Sequence, residues 1–199
     1  MLGLLKPTDR DWVGAVEEDL DGLLSDHAHC ELKAAQSALS LVGRYGGEHP
    51  QMVAPLLALA HEETDHFREV HDKMTARGAR VGAPRADGYV VALRGAAKPD
   101  HPRVPALLDR LAIAALIEAR SCERFRLLAG RGDGPGLRSA DLRGLYRGLM
   151  ASEAQHYRLF ASLAERLFGE RAARARLRTL AEREASIAES LPLGPTVHG

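Results

Sequence analysis

Two copies of a Glu-x-x-His motif are the residues of this chain best suited to bind metal ions. The first copy is Glu63-x-x-His66 and the second is Glu153-x-x-His156. Residues three apart on a helix share a face, so each motif places a carboxylate beside an imidazole. Carboxylate oxygens together with imidazole nitrogens favour iron or manganese over a zinc ion bound by thiolates. The two motifs therefore predict a metal site held by helices.

Each motif follows a helical segment that carries a Glu in an otherwise apolar stripe, Glu31 in one case and Glu118 in the other. Four-helix carboxylate bundles hold two metal ions with one Glu from each of two helices and a Glu-x-x-His from each of the others. Burying an uncompensated carboxylate costs several kcal/mol, whereas bound cations balance its charge. The pattern predicts a dinuclear site with the ligands Glu31, Glu63, His66, Glu118, Glu153 and His156.

Two positions near these ligands have competing interpretations. Glu123 competes with Glu118, but residues five apart point about 140° away from each other on a helix. Glu118 shares its stripe with Leu111 and Cys122, which favours Glu118. His27 lies one turn before Glu31 and is expected to be a satisfied core or rim histidine, with a place in the site lining as the alternative.

Helical spacing of apolar residues organises the rest of the chain. It predicts an all-α fold in which a four-helix bundle over about 11–168 is followed by a C-terminal helix over about 171–191. The bundle helices are expected over about 11–44, 50–77, 104–129 and 139–168. A long crossover, 78–104, joins the second and third helices, and residues 89–93 within it form a short helix or strand. The tail after Pro192 is expected to be loose, and 1–199 to form a single domain.

Composition limits the environment and the partners of the chain. Its 199 residues contain 27 Lys and Arg and 27 Asp and Glu, so no broad electrostatic field attracts nucleic acid. The two cysteines argue against a disulfide framework. No apolar run approaches the ~20 residues of a membrane span, and the N-terminus lacks the apolar core of a signal peptide. A cytoplasmic protein without a membrane partner is expected.

Three segments carry a more specific signal than the bundle pattern does. They are residues 26–36 (DHAHCELKAAQ), 117–125 (IEARSCERF) and 152–157 (SEAQHY). These segments resemble the ligand motifs of the MiaE family, the non-haem diiron hydroxylases that act on 2-methylthio-N6-isopentenyladenosine at position 37 of tRNA. The resemblance extends over about residues 20–165.

The resemblance implies a ferritin-like fold with the same six ligands and two iron ions. It implies O2-dependent hydroxylation of the isopentenyl group, an external reductase as electron donor, and the tRNA anticodon loop as partner. The protein is expected to be a monomer or a small oligomer. The alternatives are a ferritin-like diiron oxidase that acts on a small molecule or lipid, and an iron-binding ferroxidase.

A tRNA substrate requires a basic surface that contacts phosphates. On the crossover, Arg85, Arg94 and Lys98 are the candidates. On the C-terminal helix, Arg174 and Arg178 are the candidates, within a cluster that also includes Arg171 and Arg176. The alternative for both groups is a solvated surface without a binding role.

Overall fold

The computed structural model describes residues 2–100, 103–131, 134 and 136–198 of the chain. Within those residues the backbone forms α-helices joined by turns, with no β-strand, so the all-α prediction is confirmed. None of the described helices is long and apolar enough to cross a lipid bilayer. The helices are α1 (Trp12–Glu18), α2 (Leu20–Tyr45), α3 (Val53–Ala76), α4 (Gly88–Ala97), α5 (Ala106–Leu128), α6 (Ala140–Phe168) and α7 (Glu170–Ser190).

Contacts between residues divide the chain into two compact units. The α2–α3 unit comprises Val16–Arg85 together with Pro195–Val197. The α5–α6 unit comprises the remaining described residues and therefore also contains α4 and α7. A single domain over the whole chain remains a prediction.

The first predicted helix is interrupted at Asp19, so the prediction of one helix over 11–44 was wrong there. Asp19 has φ −144° and serves as the N-cap of α2. Its side chain accepts a hydrogen bond from the backbone N–H of Gly22 at 2.8 Å. A carboxylate that satisfies a free N–H group favours the start of a new helix, and an apolar stripe does not reveal that competition.

The α2–α3 unit is a pair of helices that pack along their apolar stripes. Leu24 and Leu41 of α2 are buried, as are Leu56 and Val70 of α3. The chain turns between the helices after Gly46, where an added Cβ would lie 2.6 Å from the carbonyl oxygen of Val42. The predicted helical pair and its connection are therefore present.

Helix α5 is the central element of the α5–α6 unit because it is buried on opposite faces. One face packs against α6, and the other packs against α4 and α7. Small side chains such as Ala112 and Ala119 allow close approach on the second face. Tyr89 and Leu93 of α4 belong to the same cluster as Leu180 of α7.

The crossover contains a helix, which decides between the two structures left open for residues 89–93. Asp87 is the N-cap of α4, and its Oδ1 accepts a hydrogen bond from the N–H of Val90 at 2.9 Å. Tyr89 and Leu93 lie four residues apart and are both fully buried. Their burial on one face favours a helix over a strand.

Helix α7 is attached to its unit by buried charges. The sequence pattern placed Arg176 in a basic surface cluster, but Arg176 is buried, with 6% of it exposed. It donates a hydrogen bond from Nε to Asp109 Oδ1 at 2.5 Å. Helical spacing explains the correction, because Arg176 lies on the same face as the buried residues Ala173 and Leu180.

The C-terminal tail is not loose, so that expectation was wrong. His198 is 4% exposed. Its Nε2 lies 2.9 Å from Ser121 Oγ, and its Nδ1 lies 3.1 Å from Asp87 Oδ2. Its ring stacks on Tyr89, with 5.5 Å between the ring centroids. These partners are 77 to 111 residues away in sequence, which is why local patterns did not reveal the attachment.

Candidate metal centre

In the α2–α3 unit, one carboxylate from α2 meets the Glu-x-x-His motif of α3. His66 Nδ1 lies 3.2 Å from Glu63 Oε2 and 3.9 Å from Glu31 Oε2. The exposed fractions of Glu31, Glu63 and His66 are 4%, 1% and 5%. The stripe spacing of the sequence thus brings these three predicted ligands together in one buried triad.

The α5–α6 unit repeats this arrangement with its own three residues. His156 Nδ1 lies 3.9 Å from Glu153 Oε1 and 4.0 Å from Glu118 Oε2. All three side chains are buried, with exposed fractions of 3–5%. In both triads the same ring nitrogen, Nδ1, faces both carboxylates. The pattern that occurs twice in the sequence therefore gives the same arrangement of side chains twice in the structure.

The donor set of each triad fits a metal ion. Oxygen and nitrogen ligands about 2.1 Å from an ion lie about 3–4 Å from one another, and the distances within each triad are 3.2–4.0 Å. Two carboxylates buried with a single imidazole carry an excess of negative charge, which a cation compensates. Carboxylates with imidazole and without thiolate favour iron or manganese. Metal binding by these six residues remains a prediction.

Two further side chains lie close to the first triad. His27 is fully buried, and its Nε2 lies 2.6 Å from Glu31 Oε1. It is therefore a neighbour of a predicted ligand and not only a core residue. Glu62 Oε1 lies 4.0 Å from His66 Nε2, at the partly exposed side of α3.

Glu123, the competitor of Glu118, takes part in a different buried network. Its carboxylate accepts hydrogen bonds from the backbone N–H of Thr8 at 3.0 Å and from Arg120 Nη1 at 3.2 Å. Arg120 is fully buried and also donates from Nη2 to Glu184 Oε1 at 2.7 Å. The Tyr89 hydroxyl donates to the same oxygen at 2.9 Å.

The charges in this network shift the pKa values of their neighbours. Burial and the Glu184 carboxylate raise the pKa of Tyr89 well above its usual value. Burial is the largest single effect on Arg120 and lowers its pKa, but Glu184 together with Tyr89 and Glu123 outweighs burial, so the pKa is raised. For Arg124, burial and the nearby Arg120 charge lower the pKa to about 10. Sequence reasoning did not predict the buried network of Arg120, Glu184 and Tyr89. The one available signal was Arg120 itself, a cation among the apolar residues of α5.

The five residues predicted to contact RNA are all exposed, as that role requires. Arg174 also forms ion pairs with Glu165 at 2.9 Å and with Glu170 at 2.6 Å, so its charge is partly compensated. The RNA role stays a prediction for Arg85, Arg94, Lys98, Arg174 and Arg178.

Comparisons with known proteins agree with the all-α fold. Residues 2–199 match the family model described as tRNA-(MS[2]IO[6]A)-hydroxylase (MiaE). The tRNA 2-(methylsulfanyl)-N(6)-isopentenyladenosine(37) hydroxylase of Pseudomonas putida is 38% identical over 158 residues, which are 79% of this chain and 73% of that protein. The hydroxylase of the same description from Salmonella typhimurium is 31% identical over 91% of this chain and 82% of its own length.

A solved structure extends the comparison to three dimensions. It is described as a protein from Synechococcus with aldehyde deformylating oxygenase activity, and it aligns with a TM-score of 0.87 and 35% identity. The alignment covers 98% of this chain and 95% of that chain. The helical fold and the two buried carboxylate–imidazole triads define a ferritin-like protein of the diiron class. Within this class, the chain belongs to the MiaE family of tRNA hydroxylases.

Proposed function

We propose that this protein hydroxylates the isopentenyl group of 2-methylthio-N6-isopentenyladenosine at position 37 of tRNA, using O2 and two bound iron ions. The observation that carries the proposal is the repeated triad, a Glu on one helix facing a Glu-x-x-His on the next. The chain's place in the MiaE family supports the substrate, because both relatives are named as hydroxylases of this nucleoside.

The reaction replaces one C–H bond of the isopentenyl group with C–OH. One oxygen atom of O2 enters the product and the other leaves as water, which requires two electrons and two protons. The six triad residues would hold the two iron ions, and these ions would supply the activation of O2. An external reductase would supply the two electrons that each turnover consumes.

The protein contributes orientation and exclusion of water. Leu24 and Leu59 in the α2–α3 unit and Ala115 and Phe160 in the α5–α6 unit lie on the same apolar stripes as the triads and are buried. We propose that the apolar side chains around each triad exclude water from the reaction. The adenosine would be taken from the single-stranded anticodon loop, where a base is unstacked at low cost. Such a substrate would place the protein in the cytoplasm.

The direct test uses the reduced, iron-loaded protein with O2 and an anticodon stem-loop that carries the isopentenylated nucleoside. Mass spectrometry of the digested RNA should show the nucleoside with one added oxygen atom. A variant with His156→Ala is the negative control, because it loses a predicted ligand. A long-chain aldehyde is the competing substrate, suggested by the activity named for the Synechococcus protein. Conversion of the aldehyde without any change in the RNA would contradict the proposal.

A further inference from the structure

We propose that His27 is a positioning residue that holds the Glu31 carboxylate in one orientation for metal binding. The inference rests on the proposed function in one respect, since it takes Glu31 to be a metal ligand. It adds a residue outside the six predicted ligands, and it explains why a histidine occupies the interior of α2.

The two oxygen atoms of Glu31 have different neighbours. Oε1 lies 2.6 Å from His27 Nε2, one helical turn earlier on the same helix. Oε2 is the atom that faces His66 Nδ1, at 3.9 Å. The histidine thus engages one oxygen and leaves the other directed at the rest of the triad.

A hydrogen bond between His27 and the Glu31 carboxylate requires the hydrogen to be on His27 Nε2. A carboxylate oxygen is an acceptor, so the contact is a hydrogen bond when His27 Nε2 carries a hydrogen and donates it. A donor that is itself fully buried has no water as an alternative partner, and a hydrogen bond to a charged acceptor is stronger than a neutral one. His27 therefore opposes rotation of the Glu31 carboxylate.

The second triad provides an internal comparison. The residue four positions before Glu118 is Ala114, whose side chain cannot donate a hydrogen bond. The residue four positions before the α2 carboxylate can therefore donate a hydrogen bond, whereas the residue at the equivalent position before the α5 carboxylate cannot. Partners that orient a metal ligand commonly change metal affinity 10–100-fold when they are removed. We expect His27 to strengthen metal binding at the triad that contains Glu31.

Three substitutions at position 27 separate positioning from other roles. In His27→Gln the amide nitrogen reaches about as far as Nε2 and retains the donor, whereas in His27→Asn the donor is too short to reach Oε1. His27→Leu removes the donor at similar volume. Ferrous ion affinity, measured without oxygen by competition with a chelator, should fall about 10–100-fold in the Asn and Leu variants. The Gln variant should stay within about threefold of the unmodified protein.

The matched control is His71→Leu on α3, whose side chain is 51% exposed and lies outside the triad. Its ferrous affinity should be unchanged. Melting of each metal-free variant reports folding separately, and if the Leu variant does not fold, the Gln and Asn pair carries the test. Unchanged affinity in the Asn variant would overturn the inference. So would equal losses in the Gln and Asn variants, because His27 would then act as a metal ligand or through its ring shape.

The same measurements distinguish failure of the inference from failure of the proposed function. If the unmodified protein binds no iron, both are overturned. If it binds iron and His27→Gln preserves the affinity that His27→Asn loses, the role of His27 is supported even when no tRNA is hydroxylated.

Discussion

Glu118 and Glu123 show how two carboxylates on one helix acquire different tasks. Glu118 Oε2 lies 4.0 Å from His156 Nδ1, within the triad of α5 and α6. Glu123 accepts hydrogen bonds from Thr8 and Arg120 at the opposite side of α5. A rotation of about 140° over five residues accounts for this separation.

Replacing each of these residues by Ala should therefore have opposite consequences. Glu118→Ala should lose iron, and its metal-free form should keep or gain stability because a buried carboxylate is gone. Glu123→Ala should keep iron but lose about 1–3 kcal/mol of stability, because it leaves the buried Arg120 and the Thr8 N–H with fewer acceptors. Iron analysis and urea unfolding measure the two effects. Loss of iron in Glu123→Ala alone would assign the ligand to Glu123 instead.

At the residue scale, sequence reasoning succeeded where partners are close along one helix. The pairs Glu63–His66 and Glu153–His156 follow from helical geometry alone. The buried bond between Arg120 and Glu184 joins residues 64 positions apart, and no periodicity predicts such a partner. His27 was an intermediate case, because its spacing to Glu31 was visible but its hydrogen bond depended on side-chain orientation.

Among the elements, α7 owes its attachment to charges near its buried face. Asp100, at the end of the crossover, accepts hydrogen bonds from Arg183 Nη1 and Nη2 at 2.5 and 3.1 Å. It also pairs with Arg176. The hydrogen bonds from Arg183 and Arg176 hold the pKa of Asp100 well below its ordinary value of 3.8.

A depressed carboxyl pKa stabilises the folded protein above the ordinary pKa and ceases to do so as the pH falls through the folded value. Asp100→Asn should therefore destabilise the protein at pH 7, because it removes a charge that two arginines bind. The difference from the unmodified protein should shrink as the pH falls below 3.8. Urea midpoints across the acid range measure this difference, and Asp72→Asn at a mostly exposed position is the control. A difference independent of pH would contradict the electrostatic explanation.

The C-terminal tail is an element whose contribution can be isolated at one residue. His198 connects Ser121 of α5 to Asp87, which also caps α4. A serine, a histidine and an aspartate linked in this way also form the catalytic triad of many hydrolases. Ser121, however, lies inside a helix and is 5% exposed, so no substrate carbonyl reaches its hydroxyl. We interpret the three residues as a structural attachment.

His198→Ala should therefore lower the free energy of unfolding by about 1–3 kcal/mol, because the buried Ser121 hydroxyl and the half-buried Asp87 carboxylate lose a partner. The loss should appear as a lower urea midpoint with little change in slope. His61→Ala, at a side chain that is 79% exposed, should leave stability unchanged. Equal stability of His198→Ala and the unmodified protein would mean that the tail contributes nothing to folding.

The elements differ in how far they could be predicted. Long amphipathic helices such as α3 and α6 were located to within a few residues, since each buries one continuous stripe. The break at Asp19 and the burial of Arg176 were not predicted. The break depends on capping by Asp19, which competes with continuation of the first helix. The burial of Arg176 depends on Asp109, a partner that only folding brings near.

For the whole molecule, charge balance restricts how RNA can be bound. Basic and acidic residues both number 27, so attraction to phosphates must come from local clusters. Arg94 lies in the last turn of α4. Lys98, four residues later, directly follows the helix, and both residues are exposed. Arg174 and Arg178 have the same spacing on α7, but acidic neighbours partly compensate Arg174. The pair of Arg94 and Lys98 is therefore the stronger candidate for phosphate contacts.

Removing both charges at the C-terminal end of α4, in Arg94→Ala with Lys98→Ala, should weaken tRNA binding and reduce its salt dependence. Each lost contact to single-stranded RNA lowers the slope of log affinity against log salt by about 0.7, so the expected change is about 1.4. Fluorescence anisotropy at several salt concentrations measures both quantities, and the iron content should stay unchanged. Adding Arg85→Ala tests whether the crossover contributes a third contact. The matched variant, Arg174→Ala with Arg178→Ala, should have the smaller effect, and a larger effect there would make α7 the docking surface.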